Sequence, residues 1–456
     1  MKSIVISGLS YSAAHFLKAA LVCCAMALQI ATGAAAAAEP HLDPGPMLGH
    51  VGPNEMRLWL RATGPCVPAV RIGEQEDLSD ARVVTGDRLA TDNDFCGTLI
   101  VTNLKPATRY FYTVLLDNQP ALHRPHASFT TAPLPGAKSH VRIAFVSCVG
   151  HFGHEAAAAW GDLAARTNFD LLLMLGDNHY ANTTHAHHQR QAYYSHRRPA
   201  GFREIAQRTP VYGIWDDHDF AGNDSDRTVK GKDEVLVLFK QFWANPSFGQ
   251  PDDPGVYFKF TWGDLDFFML DGRYHRSPNH AKDDGSKTML GHAQLAWLKR
   301  ELLASKASVK FLCSGSEWQS TGHADSWGGF QREREDIFKF IEQNGITGVL
   351  LLSGDRHFTA GYQIHRRFIE VTSGPMGSII SAPGHLNECF LKQTEGKLYC
   401  IYDVDTTGRD PVAALEVYRA GHGLVERRDF NWDEINGRKK LKLLPTPPPA
   451  KLGRGR

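Results

Sequence analysis

The sequence lacks a net charge, and it lacks an apolar run long enough to cross a membrane. Its 50 basic and 49 acidic residues give a formal charge of +1, so no overall field favours nucleic acid or an acidic partner. Beyond residue 38 no stretch approaches the roughly 20 apolar residues that a spanning helix needs. A composition of 42% hydrophobic and 22% charged residues excludes wholesale disorder and a coiled coil. At 456 residues the chain also exceeds one ordinary domain.

Residues 1–38 have the pattern of a secretory signal peptide. Lys2 and Lys18 flank a polar start, an apolar run covers 19–28, and an alanine tract ends at Ala38, where small residues suit cleavage. The alternative, a membrane anchor, is disfavoured because the apolar run is too short to span a bilayer. No arginine pair precedes it, which argues against twin-arginine export. We expect export by the general secretory pathway to the periplasm or the extracellular space.

Six cysteines follow the predicted signal peptide, and an oxidising compartment permits disulfides. Cys66 with Cys96, and Cys389 with Cys400, are the natural local pairs, although sequence alone leaves other pairings open.

Two regions and a tail can be distinguished by their patterns. Residues 43–133 contain short alternating stretches, such as 56–61 and 109–114, which indicate a small β-sandwich of immunoglobulin or fibronectin type. Residues 139–437 alternate strand and helix patterns and indicate an α/β domain. Residues 438–456 are basic and proline-rich and are expected to form a disordered tail.

The α/β region has regular predicted elements. Strands are expected over 143–146, 171–175, 211–215, 309–313 and 349–352, with a hairpin over 257–261 and 265–270. Helices are expected over 155–166, 185–207, 234–243, 292–303 and 333–343.

Side chains that can bind metal follow five of these strands. Functional groups in open α/β folds lie just beyond the carboxyl ends of strands. An aspartate after one strand is commonly a turn former, but five such endings in one domain point to a metal site. The endings are Ser147-Cys148, Gly176-Asp177 with Tyr180, Asp216-Asp217-His218-Asp219, Asp271-Gly272-Arg273 and Gly354-Asp355-Arg356-His357.

This set of blocks resembles the alkaline-phosphatase-D (PhoD-like) family of the calcineurin-like metallophosphoesterase superfamily. In the usual superfamily order, the first block is Asp-x-His and the last is Gly-His-x-His; here Ser147-Cys148 and Gly354-Asp355-Arg356-His357 stand in their places, as in that branch. The likeness covers about residues 45–437. It implies a four-layer α/β/β/α metallophosphoesterase sandwich preceded by a small all-β domain.

The resemblance also implies a pair of cations. A thiolate and a phenolate suit Fe³⁺, whereas carboxylates suit Ca²⁺, or another divalent cation such as Mg²⁺ or Mn²⁺. The implied iron ligands are Cys148, Asp177, Tyr180, Asp355 and His357, and Asp217 is implied at the second cation with Asp177 shared.

Two catalytic residues are implied by the same likeness. His218 is expected to protonate the leaving oxygen or to stabilise the transition state, with Asp219 orienting it. Supporting groups or phosphate contacts are expected among four more residues, for which a turn role is the alternative: Asn223, Asp224, Asp271 and Arg273.

A group of histidines resembles a metal cluster but lacks tight ligand spacing. A solvated face or a substrate rim is the favoured interpretation for His179, His185, His187, His188 and His196.

The expected activity is metal-dependent hydrolysis of a phosphate ester by a metal-activated hydroxide, without a phospho-enzyme. The alternatives are a phosphodiesterase, including phospholipase-D-like activity on lipid headgroups, and a non-catalytic envelope-binding protein. A phosphorylated small molecule or lipid is the expected substrate of a monomeric protein, and nothing indicates nucleic-acid binding.

Overall fold

The computed structural model describes residues 39–122, 126–151, 153–319, 322–381 and 387–445. The predicted signal peptide lies outside the described residues, as does the predicted tail from residue 446 onward. Within the described part of the chain, every helix is too short or too polar to cross a membrane.

The N-terminal region is all β. Its strands combine buried side chains with more exposed ones, and three consecutive residues of β2 and of β6 are buried. The turn after β6 uses Asp117 and Asn118 at φ 48° and 67°, the left-handed conformation that a tight hairpin needs. One sheet has the order β1-β2-β5 and the other contains β4-β3-β6-β7 with β8 on β6. The strands are β1 Met47–Val51, β2 Met56–Arg61, β3 Pro68–Gly73, β4 Arg82–Thr85, β5 Cys96–Val101, β6 Arg109–Leu116, β7 Gln119–Pro120 and β8 Ala127–Thr130.

Two larger sheets form the rest of the fold. The six-stranded sheet has the order β11-β10-β9-β19-β20-β21, in which β9, β10 and β11 are parallel. Its strands are β9 His140–Val146, β10 Leu171–Leu175, β11 Val211–Ile214, β19 Leu398–Asp405, β20 Val412–Arg419 and β21 Gly423–Phe430.

The seven-stranded sheet has the order β12-β13-β14-β15-β17-β16-β18, with β13, β14, β15 and β17 parallel. Its strands are β12 Phe258–Trp262, β13 Leu265–Met269, β14 Val309–Cys313, β15 Val349–Ser353, β16 Thr359–Ile364, β17 Phe368–Thr372 and β18 Cys389–Gln393. The central strands are buried on both faces, which explains their continuous apolar runs.

Helices connect the parallel strands and cover the sheets. The α-helices of the described residues are α1 Ala157–Ala164, α2 Ala186–Arg197, α3 Ala200–Arg208, α4 Asp217–Phe220, α5 Lys232–Phe242, α6 His292–Ala304, α7 Gln331–Gln343 and α8 Trp432–Ile435. Short 3-10 turns occupy Thr91–Asn93, Gly153–Ala156 and Trp327–Gly329.

The two large sheets pack face to face through aromatic side chains. The Tyr212 ring of β11 stacks on Phe260 of β12 with centroids 3.8 Å apart. On the outside of the seven-stranded sheet, Phe338 of α7 stacks on Phe368 with centroids 4.3 Å apart. On the other outer face, Asp162 of α1 bonds to the Tyr399 hydroxyl of β19. The predicted α/β/β/α sandwich preceded by a small all-β region is therefore confirmed.

The N-terminal region shares one hydrophobic core with the six-stranded sheet and its helices. Arg197 of α2 joins them: it is 4% exposed, and its guanidinium lies 4.3 Å from the ring centroid of Trp59 in β2. Three further rings surround it, and burial lowers its pKa to about 10. These rings belong to Tyr193, Phe242 and Trp243 at 5.3, 5.5 and 5.1 Å.

One long helix was expected over 185–207, and the structure has two. Pro199 lies between α2 and α3 at φ −51° and ψ 133°, and because proline has no backbone N–H it cannot continue the hydrogen bonds of α2.

The two expected disulfides were wrong. The six described cysteines are buried free thiols. Cys389 lies in the seven-stranded sheet and Cys400 in the six-stranded sheet, so closeness in sequence does not bring them together. Cys96 instead donates through Sγ to the Asn93 carbonyl at 3.2 Å, and Cys66 pairs through its backbone with Leu89.

Candidate metal centre

The candidate ligands lie at the carboxyl ends of strands from both large sheets. Cys148 follows β9, Asp177 follows β10 and Asp217 follows β11 in the six-stranded sheet. Asp355 and His357 follow β15 of the seven-stranded sheet. Because parallel strands end at the same edge, packing the two sheets brings these loops together.

Backbone conformation at these strand ends is unusual. Residues other than glycine rarely adopt positive φ, and such residues concentrate at functional sites. Four of the six predicted metal ligands adopt it: Cys148 at 52°, Asp177 at 52°, Asp355 at 72° and His357 at 53°. Gly176 precedes Asp177 at φ 91°, and a Cβ there would lie 2.6 Å from the Asp216 side chain. The chain thus turns sharply where it presents these four ligands.

Ligand atoms form overlapping groups whose members all lie within 4.8 Å of one another. The first group combines sulfur, carboxylate and imidazole from Cys148, Asp177 and His357. Asp177 recurs in a second group with Asp217 and His218. Carboxylates alone form a third group, Asp216, Asp217 and Asp355. Asp177 therefore links a mixed donor set to a cluster of oxygen donors.

The Tyr180 hydroxyl completes the first group. It donates to Asp177 Oδ2 at 2.9 Å and lies 2.9 Å from Nε2 of His357. Burial, followed by the charge of Asp177, raises the pKa of Tyr180 well above its usual value. Burial also raises the pKa of Cys148, which is fully enclosed. Both groups need a nearby cation in order to ionise.

Charge in the centre fits a bound metal. Asp177 Oδ1 and Asp355 Oδ2 are buried and make no hydrogen bond. Burial and then repulsion from neighbouring aspartates raise the pKa values of both carboxyls well above the usual range. Cations would offset this repulsion and occupy the unpartnered oxygens. The donor set thus supports a metal cofactor.

Comparison with known proteins identifies the family. A family model described as PhoD-like phosphatase matches residues 143–388, more than half of the chain. The chain belongs to the PhoD-like phosphatase family. A second model, a domain of unknown function called DUF7800, matches residues 39–134.

A curated protein with a similar sequence is an alkaline phosphatase. Alkaline phosphatase D of Bacillus subtilis (strain 168) is 25% identical over 328 residues, which cover 60% of this chain and 55% of that protein. The chain thus spans about half the length of this curated relative.

Two solved structures share the fold. A structure of PhoD has a TM-score of 0.68 and 17% identity, covering 88% of this chain and 92% of that chain. The structure of purple acid phosphatase PPD1 from yellow lupin (Lupinus luteus) seeds has a TM-score of 0.63 and 16% identity, covering 89% of this chain and 77% of that chain.

His218 of this PhoD-like chain lies over the centre. Its ring stacks on Tyr180 with centroids 4.1 Å apart, and its backbone N–H donates to Asp217 Oδ1 at 2.8 Å. Its Nδ1 contacts the side-chain oxygen of Asn182. Burial lowers the pKa of this half-buried imidazole.

Asp219 does not make the expected contact with His218. Its carboxylate accepts backbone N–H groups of Asp216 at 3.0 Å, Asn178 at 3.2 Å and His179 at 3.2 Å, which ties the loop after β10 to the start of α4. Burial raises its pKa to about 7 in spite of these bonds. The side chain that forms a hydrogen bond with the His218 ring is that of Asn182, 37 residues before Asp219 in the chain and in a loop that carried no motif.

All three guanidinium nitrogens of Arg273 donate hydrogen bonds to other protein groups. The guanidinium is fully buried, with Nε 2.5 Å from Asp216 Oδ1 and the other two nitrogens on Asp325 at 3.0 and 2.7 Å. Its remaining donors reach the Ser225 carbonyl and the Ser316 hydroxyl at 3.2 and 3.4 Å.

Asp271 also bonds to other protein groups. Its carboxylate accepts the Trp215 indole N–H at 2.7 Å and the backbone N–H groups of Val256 and Arg273, both at 2.9 Å. These bonds fix the loop that follows β13.

Asn223 and Asp224 are exposed at the rim. The backbone N–H of Asp224 donates to Asp217 Oδ2 at 2.8 Å, and its carboxylate lies within 4.8 Å of those of Asp217 and Asp325.

Sequence reasoning left Asp216, Asp325 and Arg356 without roles. Asp325 follows no strand, so no local signal identified it. Arg356 is only slightly exposed; its Nε makes no hydrogen bond, lying 3.4 Å from Glu317 Oε2, and its Nη1 is 3.9 Å from Asp355. It is a basic side chain at the edge of the carboxylate cluster.

The histidines divide into two sets. His185, His187 and His188 are exposed, as expected. His179 and His196 are buried, and the predicted solvated face was wrong for these two. His179 lies before α2 and packs its ring edge on Tyr193 with centroids 4.3 Å apart.

Proposed function

We propose that this chain is an exported metal-dependent phosphoesterase that hydrolyses phosphate esters with water activated at a pair of cations. The shared carboxylate is the observation that carries the proposal: Asp177 belongs to both a mixed sulfur, oxygen and nitrogen group and a group with Asp217. A carboxylate common to two sites is what a two-cation hydrolase needs. Family membership supports the same activity. Export is inferred from the signal pattern, and detection of residues 1–38 in the mature protein would contradict it.

The donor chemistry assigns the cations. Cys148, Tyr180 and His357 would hold Fe³⁺, and Asp217 would hold Ca²⁺, or Mg²⁺ or Mn²⁺ in its place, with Asp177 shared. The resemblance implies Asp355 at the iron, but its carboxylate groups with that of Asp217 within 4.8 Å, so we propose it at the second cation. When bound, such a pair supplies positive charge to the phosphoryl oxygens and lowers the pKa of water towards neutrality.

Protein groups would position the ester and manage the proton. Protonated His218, held against Tyr180, would give its Nε2 proton to the leaving oxygen as the P–O bond breaks. Arg356 would contact a phosphoryl oxygen, because its guanidinium is a cation at the edge of the cluster, with Nη1 3.9 Å from Asp355. Asp219 and Arg273 would hold the ligand-bearing loops in position through their buried hydrogen bonds.

A substrate panel tests the activity. Aryl and alkyl phosphate monoesters, diesters and phospholipid vesicles would be assayed with the metal-loaded protein and after chelation. We expect hydrolysis of at least one ester class, its loss on chelation and its return when iron and calcium are added. Tight binding of phosphate esters without turnover would favour the envelope-binding alternative.

Exposed Ile379 favours a second candidate substrate class, phosphate diesters that carry an apolar group. Ile379 is 77% exposed and lies two residues before Ser381, whose backbone N–H donates to the His357 carbonyl at 3.0 Å. Faster turnover of phospholipids than of aryl monoesters would select this candidate.

Replacing Cys148 with serine is expected to remove iron. A serine hydroxyl keeps its proton and is a poor anionic ligand, so Cys148→Ser should lose stoichiometric iron, visible charge-transfer absorption and most turnover. Metal analysis and absorption spectra would measure this, with Cys66→Ser as a buried-cysteine control remote from the ligand groups. Stoichiometric iron with near-parental turnover in Cys148→Ser would disprove the assignment.

A further inference from the structure

The loop after Tyr180 meets the start of α4 through two residues. The backbone N–H of Asn182 lies 3.4 Å from the His218 carbonyl, and the Asn182 side-chain oxygen contacts Nδ1 of His218. Asn182 Nδ2 donates to the Tyr180 carbonyl at 3.4 Å. Asn182 therefore connects the ring that covers Tyr180 to the backbone that carries Tyr180.

These contacts determine which nitrogen of His218 carries hydrogen. A backbone carbonyl can only accept, so the Asn182 NH₂ group faces Tyr180 and the amide oxygen faces His218. The amide oxygen also only accepts, so Nδ1 of His218 must carry the hydrogen. Nε2 is then the nitrogen available to substrate.

We propose that Asn182 is the positioning residue for His218: it holds the imidazole in the Nδ1–H form and aims Nε2 at the leaving oxygen. This rests on the proposed function for its catalytic consequence, whereas the tautomer is a property of the protein alone. The neighbouring carboxylates are engaged elsewhere, since Asp219 accepts three backbone N–H groups and Asp217 accepts those of His218 and Asp224.

The backbone conformation at residue 182 is one that asparagine adopts more readily than most residues. Asn182 has φ 53°, in the left-handed region that asparagine tolerates better than most residues. Glycine tolerates the same conformation without a side chain. Asn182→Gly thus removes the amide oxygen without adding backbone strain, and Asn182→Asp returns an oxygen acceptor to the same place.

Leaving-group dependence is the kinetic signature of the role. As the P–O bond breaks, the proton on Nε2 goes to the departing oxygen, and neutral His218 keeps Nδ1–H until Nε2 regains a proton from solvent. An alkoxide needs that proton, whereas p-nitrophenolate leaves readily without it. A misdirected imidazole therefore slows alkyl esters selectively.

The kinetic test compares an alkyl phosphate with p-nitrophenyl phosphate. Asn182→Gly should lower kcat for the alkyl ester by about 10- to 100-fold and for the aryl ester by less than about 3-fold, with little change in KM. Asn182→Asp should restore most of the alkyl activity. In a His218→Gln background, Asn182→Gly should have no further effect. Asn118→Gly, at an exposed residue with φ 67°, is the matched control and should change neither rate.

Imidazole ¹H–¹⁵N correlation spectra of the metal-free protein give a second readout. The His218 signals, assigned by their loss in His218→Gln, should show the Nδ1–H form in the parent protein and lose that preference in Asn182→Gly. The inference is overturned if the parent has the Nε2–H form, if both esters slow equally, or if the Asn182→Gly effect persists without His218. If no ester is hydrolysed, the proposed function fails while the spectra still decide the role of Asn182.

Discussion

Asp177→Asn is expected to lose both cations and to lower turnover by about a thousandfold or more. An asparagine oxygen is neutral and cannot bridge two cations as a carboxylate does. Because Asp177 belongs to two ligand groups, one substitution weakens both sites, whereas loss of Cys148 affects only one. Metal analysis of the purified variant and steady-state kinetics on the best ester of the panel would measure the effect.

The same substitution should stabilise the metal-free protein. Asp177 is buried beside four aspartates, which raises its pKa well above the unfolded value. A raised native pKa means that stability is lost as pH rises through it, so the gain from asparagine should grow from acidic pH towards pH 8. Thermal unfolding in chelator would measure this shift in Tm.

Asp264→Asn is the matched control for both measurements. Asp264 is a buried aspartate at the other end of the seven-stranded sheet, 2.8 Å from Lys138 Nζ and bonded to the backbone N–H of Ser308 at 2.9 Å. This variant should lose stability and keep its metal. Full metal content in Asp177→Asn, or a lower Tm of its metal-free form, would contradict the assignment of Asp177 as the shared ligand.

Arg273→Met is expected to have the largest effect on folding, lowering the free energy of unfolding by about 3–5 kcal/mol. The guanidinium is fully buried between Asp216 and Asp325 and makes five contacts. Its removal leaves buried Asp216 without this counter-charge and leaves Asp325 paired with Arg276. Urea unfolding, followed by circular dichroism, would measure the change.

Two further variants separate charge from packing. Arg300→Met removes a largely exposed arginine that is 3.4 Å from Glu301 and should change stability by less than about 0.5 kcal/mol. Adding Asp216→Asn to Arg273→Met should recover part of the loss, because Asp216 is paired with Arg273 whereas Asp325 keeps Arg276 at 2.6 Å. A loss below about 1 kcal/mol for Arg273→Met would show that the aspartates do not depend on this cation.

The order of apolar and polar residues in the sequence predicted most helices and strands, and it predicted which residues follow the parallel strands. β14 has the predicted bounds, Val309–Cys313, because a buried parallel strand is a continuous apolar run. The ligand-bearing loops also follow the predicted strands, since carboxyl ends of parallel strands meet at one edge.

Contacts between distant segments were not predictable in this way. Arg273 pairs with Asp325, 52 residues away, and the His218 ring is hydrogen-bonded to Asn182 and not to Asp219, which follows it in the sequence. The Cys389–Cys400 pairing failed for the same reason, because these two cysteines lie in different sheets. Export, the monomeric state and the identities of the cations stay predictions.

Four aromatic rings enclose Arg197, and they come from both of the segments that the family models separate. Family models divide the chain into one segment at 39–134 and another at 143–388. Yet Trp59 from the first segment encloses an arginine of the second, and one apolar core runs through both. A gene fragment encoding only the second segment would expose that arginine and its three remaining rings to water. Exchange of either segment for another would therefore have to replace the contacts that enclose Arg197.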